Sequence, residues 1–260
     1  MIIVDRKRYL GVTGMERYWE LDAARGIAIL MMILFHTLFD LYYFQLYPVN
    51  IDSGFWRYFA FSTASLFLLI AGISLSISYA RASREITTTA GVVIKYLKRG
   101  AVIFACGLLV TLATYLFLQE GFVVFGILQV IGVSIMISPL FLRFREKNIL
   151  IGALFIVTGI VLSIAAIDGP VWLIPIGIHP ATFWSVDYEP VFPWTGFVLI
   201  GIGLGSYLYP EGKRSFQVPE KFLPGILPLS FLGKHSLVIY LLHQPVILLL
   251  LHFFAGLPLV

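Results

Sequence analysis

Three ionisable residues share one face of the first hydrophobic segment of this sequence. Arg25, His36 and Asp40 are separated by eleven and four positions, and at about 100° per residue a helix returns to within ~20° of the same face after eleven steps. Arg25 and His36 would lie ~16 Å apart along the axis, with Asp40 one turn further on. A neutral imidazole can take a proton from an amine or hydroxyl that attacks a thioester, and a carboxylate can fix its tautomer. We therefore predict that His36 is a general base supported by Asp40.

The alternative interpretation of these residues is structural. A histidine within a hydrophobic segment can form a hydrogen bond between helices and contribute only to packing. However, an ionisable residue near mid-membrane costs a few kcal/mol and is a functional candidate by default. Three such residues aligned on one face favour a functional role.

A second hydrophobic segment near the end of the chain carries a related pattern. Lys234 and His235 precede it, and His243 follows eight positions after His235, which is ~12 Å deeper in a helix. His243 and His36 are thus expected at similar depth, and Gln244 and the helix-kinking Pro245 come directly afterwards. A packing hydrogen bond is the alternative for His243, and an interfacial anchor is the alternative for Lys234 and His235.

Composition assigns the chain to the integral membrane proteins. Of its 260 residues, 59% are hydrophobic and 12% are charged, and the mean hydropathy is +0.93. Cys106 is the single cysteine, which excludes an intrachain disulfide, and no metal is expected. We expect one transmembrane domain over 1–260, and the charged first twenty residues do not resemble a cleavable signal.

Hydropathy predicts an all-α, polytopic membrane helix bundle of about seven transmembrane helices. The predicted spans are 22–46, 55–80, 98–118, 122–142, 149–167, 190–209 and 235–255. The longest connection is 168–189. Its tryptophans, phenylalanine and prolines suggest that it lies at the interface or folds back into the protein.

The distribution of basic residues orients this bundle. The 18 lysines and arginines, except Arg57, fall before or at the beginning of the first span, or in alternate connections and at their boundaries. The positive-inside rule then places the N-terminus in the cytoplasm and the C-terminus outside, in the plasma membrane. Because topology explains the net charge of +4, no nucleic-acid partner is expected. Arg25, Lys234 and His235 would lie at the inner boundary, where basic groups could bind the phosphates of a cytosolic donor.

Four blocks of the sequence resemble prokaryotic relatives of the heparan-alpha-glucosaminide N-acetyltransferase catalytic domain. The blocks are LDAARGIA at 21–28 with the later His36, FGIL at 125–128, DYEPVFPWTG at 187–196 and GKHSLVIYLLHQP at 233–245. The wider superfamily of transmembrane acyltransferases shares the spacing between Arg25 and His36. The resemblance implies that His36 acts at the acyl-transfer centre, that Arg25 lies towards the acyl-CoA, and that acetyl-CoA is the acyl donor.

The chain departs from the family pattern in two places. The animal enzyme has a catalytic histidine in the loop after its first helix, and 42–54 contains none. Many prokaryotic relatives have a histidine where this chain has Gln129, which we assign to the acyl-CoA site. The resemblance therefore supports the fold and the reaction class better than heparan sulfate as the substrate, and a cell-envelope glycan or lipid-linked sugar is the expected acceptor.

Acidic and aromatic residues mark the outer side. We predict that Asp187, Glu189 and Trp194 line an outer entrance above His36, because carboxylates accept hydrogen bonds from sugar hydroxyls and an aromatic ring stacks on a sugar face. His243 and Gln244 are assigned to the same acceptor-binding group. The alternative is that Trp194 belongs to the interfacial aromatic belt and that Asp187 ends a loop.

Three functions remain open from the sequence. The first is a membrane acyltransferase moving an acetyl group from cytosolic acetyl-CoA to an outer amine or hydroxyl. The second is a proton-coupled transporter using His36, Asp40 and His243 as a relay, although no internal repeat supports it. The third is a non-catalytic assembly or lipid-binding subunit. Membrane lipid, acyl-CoA and an extracytoplasmic sugar are the expected partners, and a homodimer stays open.

Overall fold

A computed structural model describes residues 17–217 and 223–256. In these ranges the chain forms α-helices, three short 3₁₀ helices and irregular connections, the longest of which joins Ala165 to Val191. Two isolated β-bridges also occur in the described chain. The helices are α1 (Trp19–Tyr43), α2 (Gly54–Glu85), α3 (Thr89–Leu118), α4 (Ile127–Leu142), α5 (Asn148–Ala165), α6 (Val191–Leu208), α7 (Leu223–Lys234) and α8 (Ser236–Ala255).

Six of the described helices are long and apolar enough to cross a membrane. They are α1, α2, α3, α5 with the 3₁₀ turn before it, α6 and α8, and each coincides with a predicted span. This confirms a polytopic all-α protein. The remaining predicted span, 122–142, is the shorter apolar helix α4 of 16 residues. It begins at Ile127 because the chain before it is not helical. Phe125 forms a bridge with Tyr188, and the backbone of Gly126 is extended.

Contacts divide the chain into two compact units, with the boundary inside α2. The first unit contains 17–63 and 223–256 of the described residues, and the second contains 64–217. The first therefore holds α1, α7, α8 and the start of α2. The second holds the rest of α2 and the helices α3 to α6. The single domain over 1–260 stays a prediction.

Backbone contact between α1 and α7 organises the first unit. A Cβ atom added to Gly26 would collide with the backbone carbonyl of Leu229, and one added to Gly233 would collide with the carbonyl oxygen of Asp22. Glycine is thus required for the close approach of these two helices, as is common in membrane interfaces. The contact holds the end of α7, at Lys234, against the beginning of α1.

Reciprocal glycine contacts also join the helices of the second unit. In the pair of α5 and α6, a Cβ atom on Gly152 would lie 2.5 Å from the carbonyl oxygen of Gly196, and one on Gly196 would lie 2.6 Å from that of Gly152. Gly100 and Gly132 do the same for α3 and α4, at 2.6 and 2.9 Å. In a membrane the hydrophobic effect gives little driving force for helix association, and close van der Waals packing of this kind stabilises the helix pairs instead.

Candidate active site

Helices α1 and α8 bring the two predicted histidines into contact within the first unit. The ring centroids of His36 and His243 are 4.8 Å apart, and their planes meet at 61° in an edge-to-face arrangement. The similar depth expected from the sequence therefore corresponds to a direct contact. Two imidazoles at this distance can act on one bound group.

The backbone of α8 fixes the tautomer of His243. Its Nδ1 lies 2.5 Å from the carbonyl oxygen of Tyr240, and a carbonyl can only accept, so the proton of the neutral ring is on Nδ1. Nε2 is left as an acceptor, buried and without a hydrogen-bonding partner among the described residues. Such an unpaired buried acceptor costs ~1–3 kcal/mol unless a ligand or water supplies a donor.

Among the described residues, Asp40 forms its hydrogen bonds with Gln244 and none with His36. Both carboxylate oxygens of Asp40 lie close to Nε2 of Gln244, at 2.7 and 2.8 Å, and Asp40 is only 2% exposed. No hydrogen bond joins His36 to Asp40 in the part of the chain that the structure describes. Residues four apart on a helix have neighbouring Cβ atoms, but this spacing does not determine the side-chain rotamers. The sequence therefore placed Asp40 near the site but did not predict its partner.

The pair of Asp40 and Gln244 predicts a strong energetic coupling. We expect Gln244→Ala to lower the free energy of unfolding by ~1.5–3 kcal/mol, because it leaves a buried carboxylate unpaired. The double variant Asp40→Asn/Gln244→Glu exchanges the acid and the amide, and it should recover much of this loss. Unfolding of the purified variants in detergent measures both effects, and losses for Asp40→Ala and Gln244→Ala that simply add would contradict the coupling.

The other end of the charged face is built around Asp22. This buried carboxylate accepts a hydrogen bond from Nε of Arg17 at 2.7 Å and one from Arg25 at 2.6 Å. The guanidinium of Arg25 is held by Asp22, and its side chain is 24% exposed. Two guanidinium groups thus surround this one carboxylate. In the sequence, Arg17 is one of the basic residues before the first span, and its five-residue spacing from Asp22 does not indicate the pairing.

The junction of α7 and α8 contributes further basic residues. His235 is the N-cap residue of α8, its Nδ1 lies 2.9 Å from the carbonyl oxygen of Phe231, and its exposed ring packs on the Phe231 ring at 4.5 Å. Lys234 is half-buried. Since the neighbouring Gly233 contacts the backbone of Asp22, this junction lies beside the beginning of α1.

Gln129 has a structural setting in the second unit. Its Oε1 accepts a hydrogen bond from the backbone of Gly126 at 3.0 Å, and its Nε2 donates to the carbonyl of Gly107 and to Oγ1 of Thr111. The buried side chain thus caps α4 and attaches it to α3. These bonds give Gln129 a structural role, and its assignment to the acyl-CoA site stays a prediction.

Asp187 and Glu189 lie at the N-terminus of α4, also in the second unit. A Cβ atom on Gly126 would lie 2.7 Å from Oδ2 of Asp187, and the backbone N–H of Glu189 donates to the carbonyl of Phe125 at 2.7 Å. Oε2 of Glu189 is buried and has no partner among the described residues. Burial raises the pKa of Asp187 to about 6. The pKa of Glu189 is raised well above its usual value, first by burial and then by the charge of Asp187.

These two carboxyl groups predict a stability that falls as pH rises. The folded protein favours the neutral forms of these groups and therefore binds more protons than the unfolded chain. Its stability is highest below the ordinary pKa values of the two groups. The contribution of Asp187 is lost as the pH rises through about 6, and that of Glu189 is lost at higher pH. We expect a higher melting temperature at pH 5 than at pH 8 and a smaller difference in Asp187→Asn/Glu189→Gln. Glu120→Gln, at an exposed acid of the same unit, should keep the full difference, and an unchanged difference in the double variant would contradict the assignment.

Trp194 and an aromatic cluster lie close to these acids in sequence. Trp194 is half-buried near the beginning of α6, with its ring 5.8 Å from that of Phe197. The sequence did not single out His179, whose ring contacts those of Phe183 and Tyr188 at 5.0 and 5.8 Å. The aromatic richness of 168–189 indicates only that this loop lies at the interface or folds back into the protein, and it does not point to His179 or Tyr188 in particular.

The fold and the site define a polytopic membrane protein with a pair of imidazoles within its hydrophobic helices. The family model described as heparan-alpha-glucosaminide N-acetyltransferase, catalytic, matches residues 17–245. The match covers most of the chain, and the chain belongs to this family of transmembrane acetyltransferases. Among curated proteins and solved structures, none matches it significantly.

Proposed function

We propose that the protein transfers an acetyl group from cytosolic acetyl-CoA to an amine or hydroxyl of an extracytoplasmic glycan or lipid-linked sugar. The observation that carries this proposal is the contact between His36 and His243, at 4.8 Å between their rings, in a chain of this acetyltransferase family. Acyl transfer needs a base for the nucleophile and a donor for the carbonyl oxygen. Two neighbouring imidazoles can supply both.

The proposed donor site lies at the basic end of the first unit. Arg25, Lys234 and His235 would contact the phosphates of CoA, since arginine forks and ammonium groups are the usual phosphate ligands. Helix geometry puts His36 ~16 Å from Arg25, a separation comparable to an extended pantetheine arm. The nucleotide would then remain in water while the thioester reaches the imidazoles.

The proposed acceptor site uses the carboxyl groups of the second unit. Asp187 and Glu189 would accept hydrogen bonds from sugar hydroxyls or pair with an ammonium group, and Trp194 would stack on a sugar ring. The unpartnered Oε2 of Glu189 supports this assignment, because a sugar hydroxyl could supply its missing hydrogen bond. A separate proposal concerns the first unit alone, where His243 and Gln244 would contact the nucleophile.

The orientation proposed for the chain has its own test. If the N-terminus is cytoplasmic and the basic connections are inside, an alkaline phosphatase fused after Val260 should be active and a green fluorescent protein at the same place should be dark. The same reporters at 143–147 should give the opposite result. A phosphatase that is inactive after Val260 would contradict the orientation in the plasma membrane.

The activity is tested with acetyl-CoA itself. Purified protein in proteoliposomes, supplied with radiolabelled acetyl-CoA and glucosamine as a soluble amine acceptor, should release free CoA thiol and acetylate the amine. His36→Ala/His243→Gln is the matched inactive control. If the wild type releases no CoA with glucosamine, with envelope lipid extract or without any acceptor, the proposal is wrong. A proton flux without CoA release would favour a transporter.

A further inference from the structure

We propose that the two imidazoles have different roles: Nε2 of His243 takes the proton of the nucleophile, and a ring N–H of His36 donates a hydrogen bond to the oxygen of the acetyl carbonyl. This assignment rests on the proposed acyl transfer and divides its chemistry between two residues. It differs from the sequence-based expectation, in which His36 was the base and Asp40 fixed its tautomer.

The geometry of His243 suits a proton acceptor. The carbonyl of Tyr240 holds the proton on Nδ1, at 2.5 Å, so Nε2 presents a lone pair whenever the ring is neutral. The same carbonyl stabilises the imidazolium that forms after proton transfer, because Nδ1–H remains its donor. Nε2 has no competing partner in the described chain, and a nucleophile N–H or O–H would satisfy it.

His36 lacks the features that would fix it as the base. No hydrogen bond from a described residue fixes either of its ring nitrogens, and the carboxylate one turn away binds Gln244 at 2.7 and 2.8 Å. A neutral imidazole always carries one N–H. With the His243 ring 4.8 Å away, a second positive charge would be repelled. His36 therefore stays neutral when His243 becomes protonated, and a neutral imidazole can polarise a carbonyl.

The transfer step balances with these two residues and the two substrates. The nucleophile's nitrogen or oxygen forms a bond with the acetyl carbon while its proton goes to Nε2 of His243, and the carbonyl oxygen gains negative charge opposite the N–H of His36. The carbon–sulfur bond then breaks, and the CoA thiolate takes the proton from His243. The products are the acetylated acceptor and CoA thiol, with both rings neutral again. The next ionisable groups along these helices are Asp40 on α1, which binds Gln244, and Tyr240 on α8, whose ring lies 5.4 Å from that of His243.

Glutamine substitutions separate the two roles, because glutamine can donate a hydrogen bond but cannot hold the transferred proton. His36→Gln should retain transfer within about tenfold of the wild type and keep the rise of kcat/KM with pH. His243→Gln should lose at least ~10²-fold and lose that rise, with acetyl-CoA binding retained in both. The reverse order, with His36→Gln the more damaged and pH-independent, would overturn the assignment, as would equal losses in both.

A second measurement does not depend on activity. Nitrogen-15 NMR of the labelled protein in lipid at high pH should show His243 as the Nδ1–H tautomer, through a signal that disappears in His243→Gln and persists in His252→Gln. His179 and His235, whose Nδ1 atoms also lie beside backbone carbonyls at 3.1 and 2.9 Å, should give signals of the same tautomer that persist in both variants. An Nε2–H tautomer at position 243 would overturn the assignment even if transfer is observed. Conversely, the expected tautomer in a wild type that never releases CoA would refute the acyltransferase function while leaving this geometry correct.

Discussion

Alanine at position 36 is expected to slow acetyl transfer by about 10²- to 10³-fold, the usual effect of removing one donor to a developing oxyanion. The ring of His36 lies 4.8 Å from that of His243, so its loss also removes a neighbour that positions the base. The side chain is three helical turns from Arg25, and acetyl-CoA binding should therefore change little. Steady-state kinetics and equilibrium binding of acetyl-CoA to the same preparation measure the two quantities.

Two comparisons make this result specific to His36. His252→Ala, at another half-buried histidine of the same unit, should keep normal turnover. His36→Gln should recover most of the rate lost in His36→Ala, because the amide restores an N–H donor. Near-normal transfer by His36→Ala would return the residue to a packing role between helices.

Glutamine at position 25 is expected to weaken acetyl-CoA binding by about tenfold to 10²-fold. A hydrogen bond between charged groups contributes ~1.5–3 kcal/mol, and each 1.4 kcal/mol is a factor of ten in Kd. At saturating acetyl-CoA the transfer rate should be largely preserved, because Arg25 is remote from the reacting carbon. Glutamine is preferable to a charge reversal here, since an acid beside the buried carboxylate of Asp22 would threaten folding.

Arg17→Gln is the matched control for this effect. Arg17 and Arg25 both bind the carboxylate of Asp22, at 2.7 and 2.6 Å, so each substitution removes one of its partners. The side chain of Arg17 is 53% exposed, and we expect its loss to change Kd by less than about threefold. Equal weakening by both substitutions would mean that the effect passes through Asp22 and that the phosphates bind elsewhere, for example at Lys95 to Arg99.

The sequence predicted which residues could meet but not how their side chains pair. Helical periodicity put Arg25, His36 and Asp40 on one face, and equal depth brought His243 to the level of His36. The pairing of Asp40 with Gln244 depended on rotamers and on the rotation of α8, neither of which follows from spacing. Likewise, the apolar pattern of this segment does not predict the backbone hydrogen bond that selects the tautomer of His243.

The elements that the sequence misjudged are short or extended. Helix α7, Leu223–Lys234, is too short to cross a membrane and contains Pro228, so hydropathy alone gave no reason to propose it. Residues 122–126 are apolar and were assigned to a span, yet the chain there pairs through Phe125 with Tyr188. Hydropathy does not distinguish an apolar extended segment from the first turn of a helix.

The shared carboxylate of Asp22 has a consequence for how tightly an anionic ligand could bind. A free arginine side chain surrenders about 2 kcal/mol of rotamer entropy when a ligand immobilises it. The guanidinium of Arg25 is already tethered by a 2.6 Å ion pair to a carboxylate that is itself buried, so most of that ordering takes place when the protein folds. A phosphate arriving from the cytosol would meet a group already in position, and its binding would be opposed mainly by loss of the ligand's own freedom.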